Sequence, residues 1–574
     1  MKIFYTSSYY LLIVFLTFFS CTNKIETKAD LVLMNGFIYT SDKNRTTAEA
    51  VAIKDGKFIF VGQSKNVEIF IDDFTQVIDL KGKNVLPGFI DSHCHPISTV
   101  KQLYDVNLNG LKKISDIQNA INSFREKHPN AKFIRGRGWS NYDFPNNGPD
   151  KKYLDKIISD IPVIMASEDG HSRWVNSKAL ELAGITKNTI NPKGGIIERY
   201  LGSNEPSGTL RENATSLVNT LFPYYNLEEL VAGLEAYQKM ALALGITTAH
   251  DAYLDFGVDE IAAYALLEKK NKLNMRFRAS IYLDPDLGIE QIKNLLLEQD
   301  KHKGDLFRIN AAKIFIDGVV EGGTAYLKEP YNHLPNSHGK LLWNVNKLNT
   351  FCTELENNSI QIHVHAIGDA AVSTTLDAFE YAYTRSGKKN SRNLITHLQL
   401  VSPSDILRFK DLGIIAVPQP YWFKKDSYYY NIQVPYLGQK RADIEYPMKS
   451  FFSSGVIVAS SSDYPVTIPS NPFIAIQTGI TRIDTDSTKS DSALWADETV
   501  SLEQMITSFT INGAYANYLE NITGSIEVGK SADLIIINSD IFNIPTKDIC
   551  KTKVLLTLFK GKEVFRNENY HPHP

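Results

Sequence analysis

The sequence predicts an α/β protein built on a (β/α)8 TIM barrel, with a small β-sandwich domain made from both chain ends and an insertion between barrel strands one and two. Three observations carry this expectation. Eight apolar, β-branched runs separated by helix-length segments fill the middle of the chain, the pattern of a parallel sheet covered by helices. Short alternating strands broken by turns occupy both ends. Two more strand-like runs lie between the first and second of the eight and exceed the barrel's count.

The eight runs are VLPGFIDSH (85–93), GITTAHD (245–251), MRFRASIYL (275–283), INAAKIFID (309–317), IQIHVHA (360–366), NLITHLQL (393–400), GIIAVPQP (413–420) and GVIVASSSD (455–463), within a barrel spanning 85–510. The surplus runs AKFIRGRGW (131–139) and IPVIMAS (161–167) assign residues 98–235 to an insertion on the catalytic rim that carries the substrate pocket, since loops beyond about 15 residues are usually functional or independently structured. At the amino-terminal end, Asn35-Gly36 and Asp55-Gly56 are hairpin signals. At the other end, GSIEVGKSADLIIINSD (524–540) and VLLTLFKGKEVF (554–565) read as strands. Neither end has enough strands to be stable alone, so 30–84 and 511–566 are expected to form one sandwich.

The 574 residues hold 61 basic and 64 acidic side chains, a net charge of −3 without long like-charge runs. That balance indicates neither nucleic-acid binding nor a polybasic membrane patch, and points to small-molecule partners. The apolar run Leu11 to Phe19 is too short to span a bilayer and reads as the core of an export signal over residues 1–20. Ser20-Cys21 followed by a polar stretch resembles a bacterial lipoprotein cleavage site, with Cys21 as the lipidated residue. The expected location is the bacterial cell envelope, anchored at the outer membrane or facing the periplasm, with ordinary secretion as the alternative. Cys94, Cys352 and Cys550 are then the remaining cysteines, too few and scattered for a disulfide framework. The oligomeric state stays open, a homodimer included.

The first strand ends in Asp91-Ser92-His93-Cys94-His95-Pro96, and the i, i+2 spacing puts both imidazoles on one face of the strand with Cys94 on the other. Cys94 is therefore read as a packing residue. Lys313, His365, His397 and Asp463 lie in the fourth, fifth, sixth and eighth runs and are read as standing toward the strand ends, which in a barrel converge at one mouth. Four imidazoles and a carboxylate form a donor set for a divalent metal of the zinc type. Each histidine alone reads equally as a core residue, and Lys313 as the partner of Asp317 in a salt bridge. Trp174 alternates with polar groups in the insertion as a pocket wall would, and Gln419 and Trp422 follow strand seven toward the mouth.

The motifs LPGFIDSHCH, VHAIGD (364–369), THLQL (396–400), SSSDYPV and GSIEVGKSADL (524–534) resemble those of the amidohydrolase superfamily. ASEDGHSRWVNSKAL (166–180) together with KIFIDG (313–318) is similar to its third subgroup, which includes N-substituted formamide deformylases. The resemblance implies one or two Zn2+ ions, with His93 and His95 on the first, His365 and His397 on the second, and Lys313 bridging them as a carbamate. Asp463 would ligate the first ion and shuttle protons, and His171 would reach the barrel mouth as a second catalytic group. The implied reaction is hydrolysis of an amide or N-formyl C–N bond in a small amide-like substrate, by hydroxide formed from a water whose pKa the metal lowers. A hydrolase of a cyclic amide or ester, and a non-catalytic binding lipoprotein, are the alternatives. The chain departs from the family pattern at Tyr518, where glycine is usual, at a helix end away from the metal residues.

Overall fold

A computed structural model describes residues 27–571 apart from 141–142, 145–147, 169, 388–390 and 487–491. Cys21 and the apolar run before it lie outside the described residues. Seven parallel strands form the central sheet: β1 (Phe89–Cys94), β2 (Ile246–Leu254), β3 (Arg276–Tyr282), β4 (Phe307–Phe315), β5 (Gln361–Ala366), β6 (Leu394–His397) and β7 (Ile415–Val417). They pair in sequence order from β1 to β7. Their near-continuous burial is what a sheet enclosed by helices on its outer face requires.

The eighth run, expected as a strand at 455–463, is an extended segment with a single parallel bridge, Ala416 to Val458. It nonetheless closes the barrel. On the β7 side, Ala416 donates to Ile457, Ala459 to Ala416 and Ser461 to Pro418; on the β1 side, Ser92 donates to Ser460, Asp463 to His93 and His95 to Tyr464. Regular pairing fails because the backbone turns left-handed at Asp463, with φ 55°. Asp91 locks the seam by accepting from the Ser462 amide at 2.9 Å and from the Ser462 hydroxyl.

The first run splits at Gly88. Asn84–Pro87 joins a terminal sheet, and only Phe89 onward enters the barrel. A Cβ at Gly88 would stand 2.3 Å from Thr247 Oγ1, so glycine alone lets β1 approach β2 there. Strand Leu534–Ile537 pairs antiparallel with Asn84–Pro87, which joins the two chain ends in one six-stranded sheet. A four-stranded sheet from residues 31–79 shares a hydrophobic cluster with it through Leu33, Val51, Phe58, Val85, Leu534 and Leu556. Helix Ile511–Ala516, grouped with this small domain on sequence, packs on β1 instead, with Gly513 against Ile90.

The interval after β1 forms its own six-stranded sheet, in which Ile134–Trp139 and Val163–Ser167 run parallel as the surplus runs suggested. The interval expected to end at 235 gives way earlier to helix Leu227–Ala243, which starts at the Asn226/Glu229 capping box and leads directly into β2. The barrel helices follow local chemistry. Asp369–Ser386 and Pro403–Leu412 both stop where Gly387 and Gly413 take φ 68°. Tyr518 also adopts left-handed backbone, φ 58°, which is the physical reason a glycine suits that position.

Candidate metal centre

Parallel register staggers the candidate donors along neighbouring strands: His365 stands opposite Phe315, two residues beyond Lys313, and His397 opposite Ala366, one beyond His365. His93, His95, Lys313, His365, His397 and Asp463 consequently line the floor of one cavity of about 450 Å³. Asp463 Oδ1 lies 3.1 Å from His95 Nε2 and 3.3 Å from His93 Nε2. The ligand atoms of His93, His95 and Asp463 fall within 4.8 Å of one another. The His397 ring centroid is 5.0 Å from that of His93 and 4.5 Å from that of His365. His397 and Asp463 both hold φ above 50°, left-handed backbone that turns their side chains into the mouth and is tolerated where the surroundings over-determine it.

Burial holds His93 and His397 well below the usual imidazole range and brings His365 to about 3, so these rings are neutral and present lone pairs. Burial pushes the Asp463 carboxyl up, but the His95 hydrogen bond with the neighbouring His397 and Lys313 outweighs it, leaving the pKa lowered. Lys313 is fully buried and brought to about 7 by desolvation. Its Nζ has no hydrogen-bond partner and sits 4.9 Å from the Phe315 ring centre. The salt bridge to Asp317 is absent from this arrangement: Asp317 accepts from the Tyr326, Ile367 and Gly368 amides. An orphaned amine that loses its proton near pH 7, set among imidazoles and one carboxylate, fits a divalent cation held by nitrogen donors and an anionic bridge.

His93, His365 and His397 each have a second partner within hydrogen-bond distance, and these partners were mostly not visible in sequence. His365 Nε2 lies 3.2 Å from the Gly318 carbonyl, and His95 Nδ1 is 4.0 Å from Asp251 Oδ1. His397 Nδ1 meets Gln419 Oε1 at 3.1 Å. Gln419 donates through Nε2 to Thr396, Val417 and Ser461, so its oxygen is the acceptor and His397 carries its proton on Nδ1. Gln419 therefore sits beneath His397 rather than on the pocket surface expected for it.

His93 heads a longer column. Its Nδ1 is 2.7 Å from His363 Nε2; His363 Nδ1 is 3.1 Å from Ser280 Oγ; Ser280 Oγ is 2.7 Å from His250 Nε2; His250 Nδ1 is 2.8 Å from Asn517 Oδ1. The direction follows from the far end. Asn517 donates through Nδ2 to Gly513, so its oxygen accepts from His250 Nδ1. His250 Nε2 must then accept from the Ser280 hydroxyl, Ser280 from His363 Nδ1, and His363 Nε2 from His93 Nδ1. His250, brought to about 3, and His363, also lowered, are both kept neutral by burial, as this single-proton arrangement demands. His93 Nε2 is left with its lone pair toward Asp463. The one sequence signal for this column was the His363, His365 spacing, the same i, i+2 pattern as His93 and His95.

Two further residues expected at the site are not brought to this cavity. Trp174 is fully buried inside the insertion, 6.1 Å from Phe144, with its Nε1 donating to the Asp150 carbonyl, and so is core rather than pocket wall. His171 has a side chain 66% exposed, lies 3.1 Å from Glu212 Oε2 and does not line the cavity. Trp422 does line it, stacked 5.8 Å from His397 with its Nε1 donating to Thr467. Cys94 is buried on the opposite face of β1 beside the Tyr237 hydroxyl, a packing residue as expected.

A protein-family model described as "Amidohydrolase family" matches residues 76–565. The chain is 31% identical over 546 residues to Protein LONG AFTER FAR-RED 3 of Arabidopsis thaliana, covering 94% of this chain and 92% of that one. It is 25% identical to the N-substituted formamide deformylase of Arthrobacter pascens, covering 93% and 97%. The crystal structure of an uncharacterized metal-dependent hydrolase from Pyrococcus furiosus superposes with a TM-score of 0.71 at 26% identity, over 89% of this chain and 99% of that one.

The column makes a prediction of its own. Ser280→Ala removes the link between His363 and His250 while changing little volume, and should weaken zinc or cobalt binding by roughly 10- to 100-fold, the usual effect of losing such a partner. Competition with a chromophoric chelator measures it. Affinity within twofold of the parent would mean the column only fills the barrel.

Proposed function

This chain belongs to the amidohydrolase family and is a metal-dependent hydrolase, and we propose that it cleaves the C–N bond of an amide or N-formyl substrate. The observation that carries the reading is the buried, unpartnered Lys313 amine among His93, His95, His365, His397 and Asp463 on one cavity floor. The name of the Arthrobacter relative supports the bond type.

His93, His95 and Asp463 would hold one divalent ion and His365 and His397 a second, zinc by the nitrogen-rich donor set, with carboxylated Lys313 between them. Bound there, such ions lower the pKa of water and polarise a carbonyl oxygen. Lys313, neutral above about pH 7, attacks carbon dioxide through its lone pair and loses a proton to solvent, giving a carbamate whose single negative charge is shared by two oxygens. Asp463, ionised at neutral pH, accepts the proton released as water adds to the substrate carbonyl and holds it on a carboxylate oxygen. It then donates that proton to the nitrogen as the C–N bond breaks. Trp422, Phe315 and Tyr446 line the cavity and exclude bulk water from the reacting atoms. We also propose that Cys21 carries a lipid anchor in the bacterial envelope, supported by the short apolar run and Ser20-Cys21.

Chelation should abolish turnover, and zinc with bicarbonate should restore it at pH 8 far better than at pH 6. The sign follows from Lys313: below about pH 7 its ammonium neither binds a cation nor takes up carbon dioxide, whereas His93, His365 and His397 stay neutral across that window. Bound metal per chain and the carbamate resonance from 13C-bicarbonate read the outcome. Equal loading at both pH values would remove the carbamate from the scheme.

Asp463→Asn should lower kcat by roughly 10² to 10⁴, the worth of general acid–base catalysis, in protein shown to carry parental metal content. Turnover within about threefold of the parent would move the proton transfer elsewhere. For the anchor, Cys21→Ala should shift the protein from the membrane to the soluble fraction; an unchanged membrane fraction contradicts lipidation.

A further inference from the structure

Above the donor floor, two kinds of group stand out among walls that also include the aliphatic Val319, Ile367 and Val466. Phe315, Trp422, Tyr428 and Tyr446 present aromatic surface, and Glu321, Asp426 and Gln433 present oxygen acceptors. Among the described lining residues, the only cationic side chain is Lys313, which lies on the floor with the candidate donors. The negative charge near the mouth is not cancelled locally. Lys424 is 3.7 Å from Asp426 but 3.0 Å from Asp484, so two carboxylates share one ammonium. Glu321 is exposed, and its contact is with the neutral Tyr428 hydroxyl, which donates to it.

Gln433 adds an independent observation. It ends the π-helical turn Tyr429–Gln433, is 2% exposed, and its Oε1 has no hydrogen-bond partner although it lines the cavity. A buried carbonyl oxygen without a donor costs free energy, and single π-turns of this kind are frequent at functional sites. A donor carried by the cavity's occupant would satisfy that oxygen. Aromatic faces attract cations through their quadrupoles, and the two carboxylates do so through charge. All three kinds of group select the same chemistry.

We propose that the substrate carries, beyond the scissile bond, a cationic nitrogen such as an ammonium or guanidinium on an apolar or aromatic body, with Gln433 and Glu321 as specificity-determining residues. This rests on the amide-hydrolase reading and deepens it. The scissile group faces the donor floor, the apolar body lies against Trp422 and Tyr446, and the cationic nitrogen donates to Gln433 Oε1 and the Glu321 carboxylate. A substrate with a distal carboxylate would face Glu321 and Asp426 and be rejected by like charge.

The test compares three benzylic formamides on the zinc-loaded enzyme, para-substituted with aminomethyl, methyl or carboxylate. The aminomethyl compound should exceed the methyl compound in kcat/KM by about tenfold and the carboxylate by 100-fold or more. Glu321→Gln and Gln433→Leu should each cut the aminomethyl-to-methyl ratio at least threefold, with melting temperatures confirming that both variants fold. A methyl compound equal to or better than the aminomethyl one, or a ratio untouched by both substitutions, would overturn the proposal. If none of the three turns over, the N-formyl form of that reading fails, and calorimetric binding of 4-methylbenzylammonium against 4-methylbenzyl alcohol still decides this inference. A tenfold tighter ammonium, weakened by Glu321→Gln, supports it, and equal affinities reject it.

Discussion

Closure of the barrel between the 455–463 segment and β1 is the constraint on which the candidate centre depends. Asp463 and the His93/His95 pair are separated by some 370 positions in the chain, and only this seam brings them into contact. The seam is held by alternating backbone bonds to both neighbours and by Asp91, buried and raised to about 6, bonded to Ser462. Burying that carboxyl would be costly without those bonds, so its presence ties the chemistry of the mouth to the packing of the wall. The segment gives up strand regularity at Asp463, where left-handed backbone aims the carboxylate at the histidines.

Around this seam the imidazoles are held by partners that settle both ring orientation and proton position. Gln419 does so for His397, and the column through His363, Ser280, His250 and Asn517 does so for His93. A neutral imidazole has one donor and one acceptor, so in a buried chain each link dictates the next. The barrel interior thus carries, in place of a wholly apolar filling, a polar column whose last member is beside Tyr518, at the helix end that packs near β1. The two halves of the cavity then differ in kind. Its floor is a set of imidazoles with one carboxylate and one orphaned amine, and its mouth carries aromatic and acidic side chains.

The alternation of apolar runs with helix-length segments, the turn signals at both ends and the residues closing the runs were legible because periodicity and strand-end position are local properties. His93, His95 and Asp463, whose ligand atoms the structure brings within 4.8 Å of one another, were legible because they stand at or just past the ends of their runs. The partners of those donors were not. Ser280, His250 and Asn517 are unremarkable residues in β3, in β2 and after a helix, and nothing local distinguishes them from packing. His363 alone left a trace, in its spacing from His365.

Trp174 and His171 show the converse, since a motif can mark a segment without saying which way its side chains face. The insertion builds a core of its own that takes Trp174 inward and leaves His171 at the surface beside Glu212. What the sequence by itself determined was the order of elements and the chemical type of the donor set, because both follow from residue identity and spacing along one strand or helix. What only the tertiary structure decided was the irregular closing segment, the tautomer of each imidazole, and the acceptor-lined mouth with its unpartnered Gln433. Those depend on contacts between residues far apart in the chain, and no local period encodes such contacts.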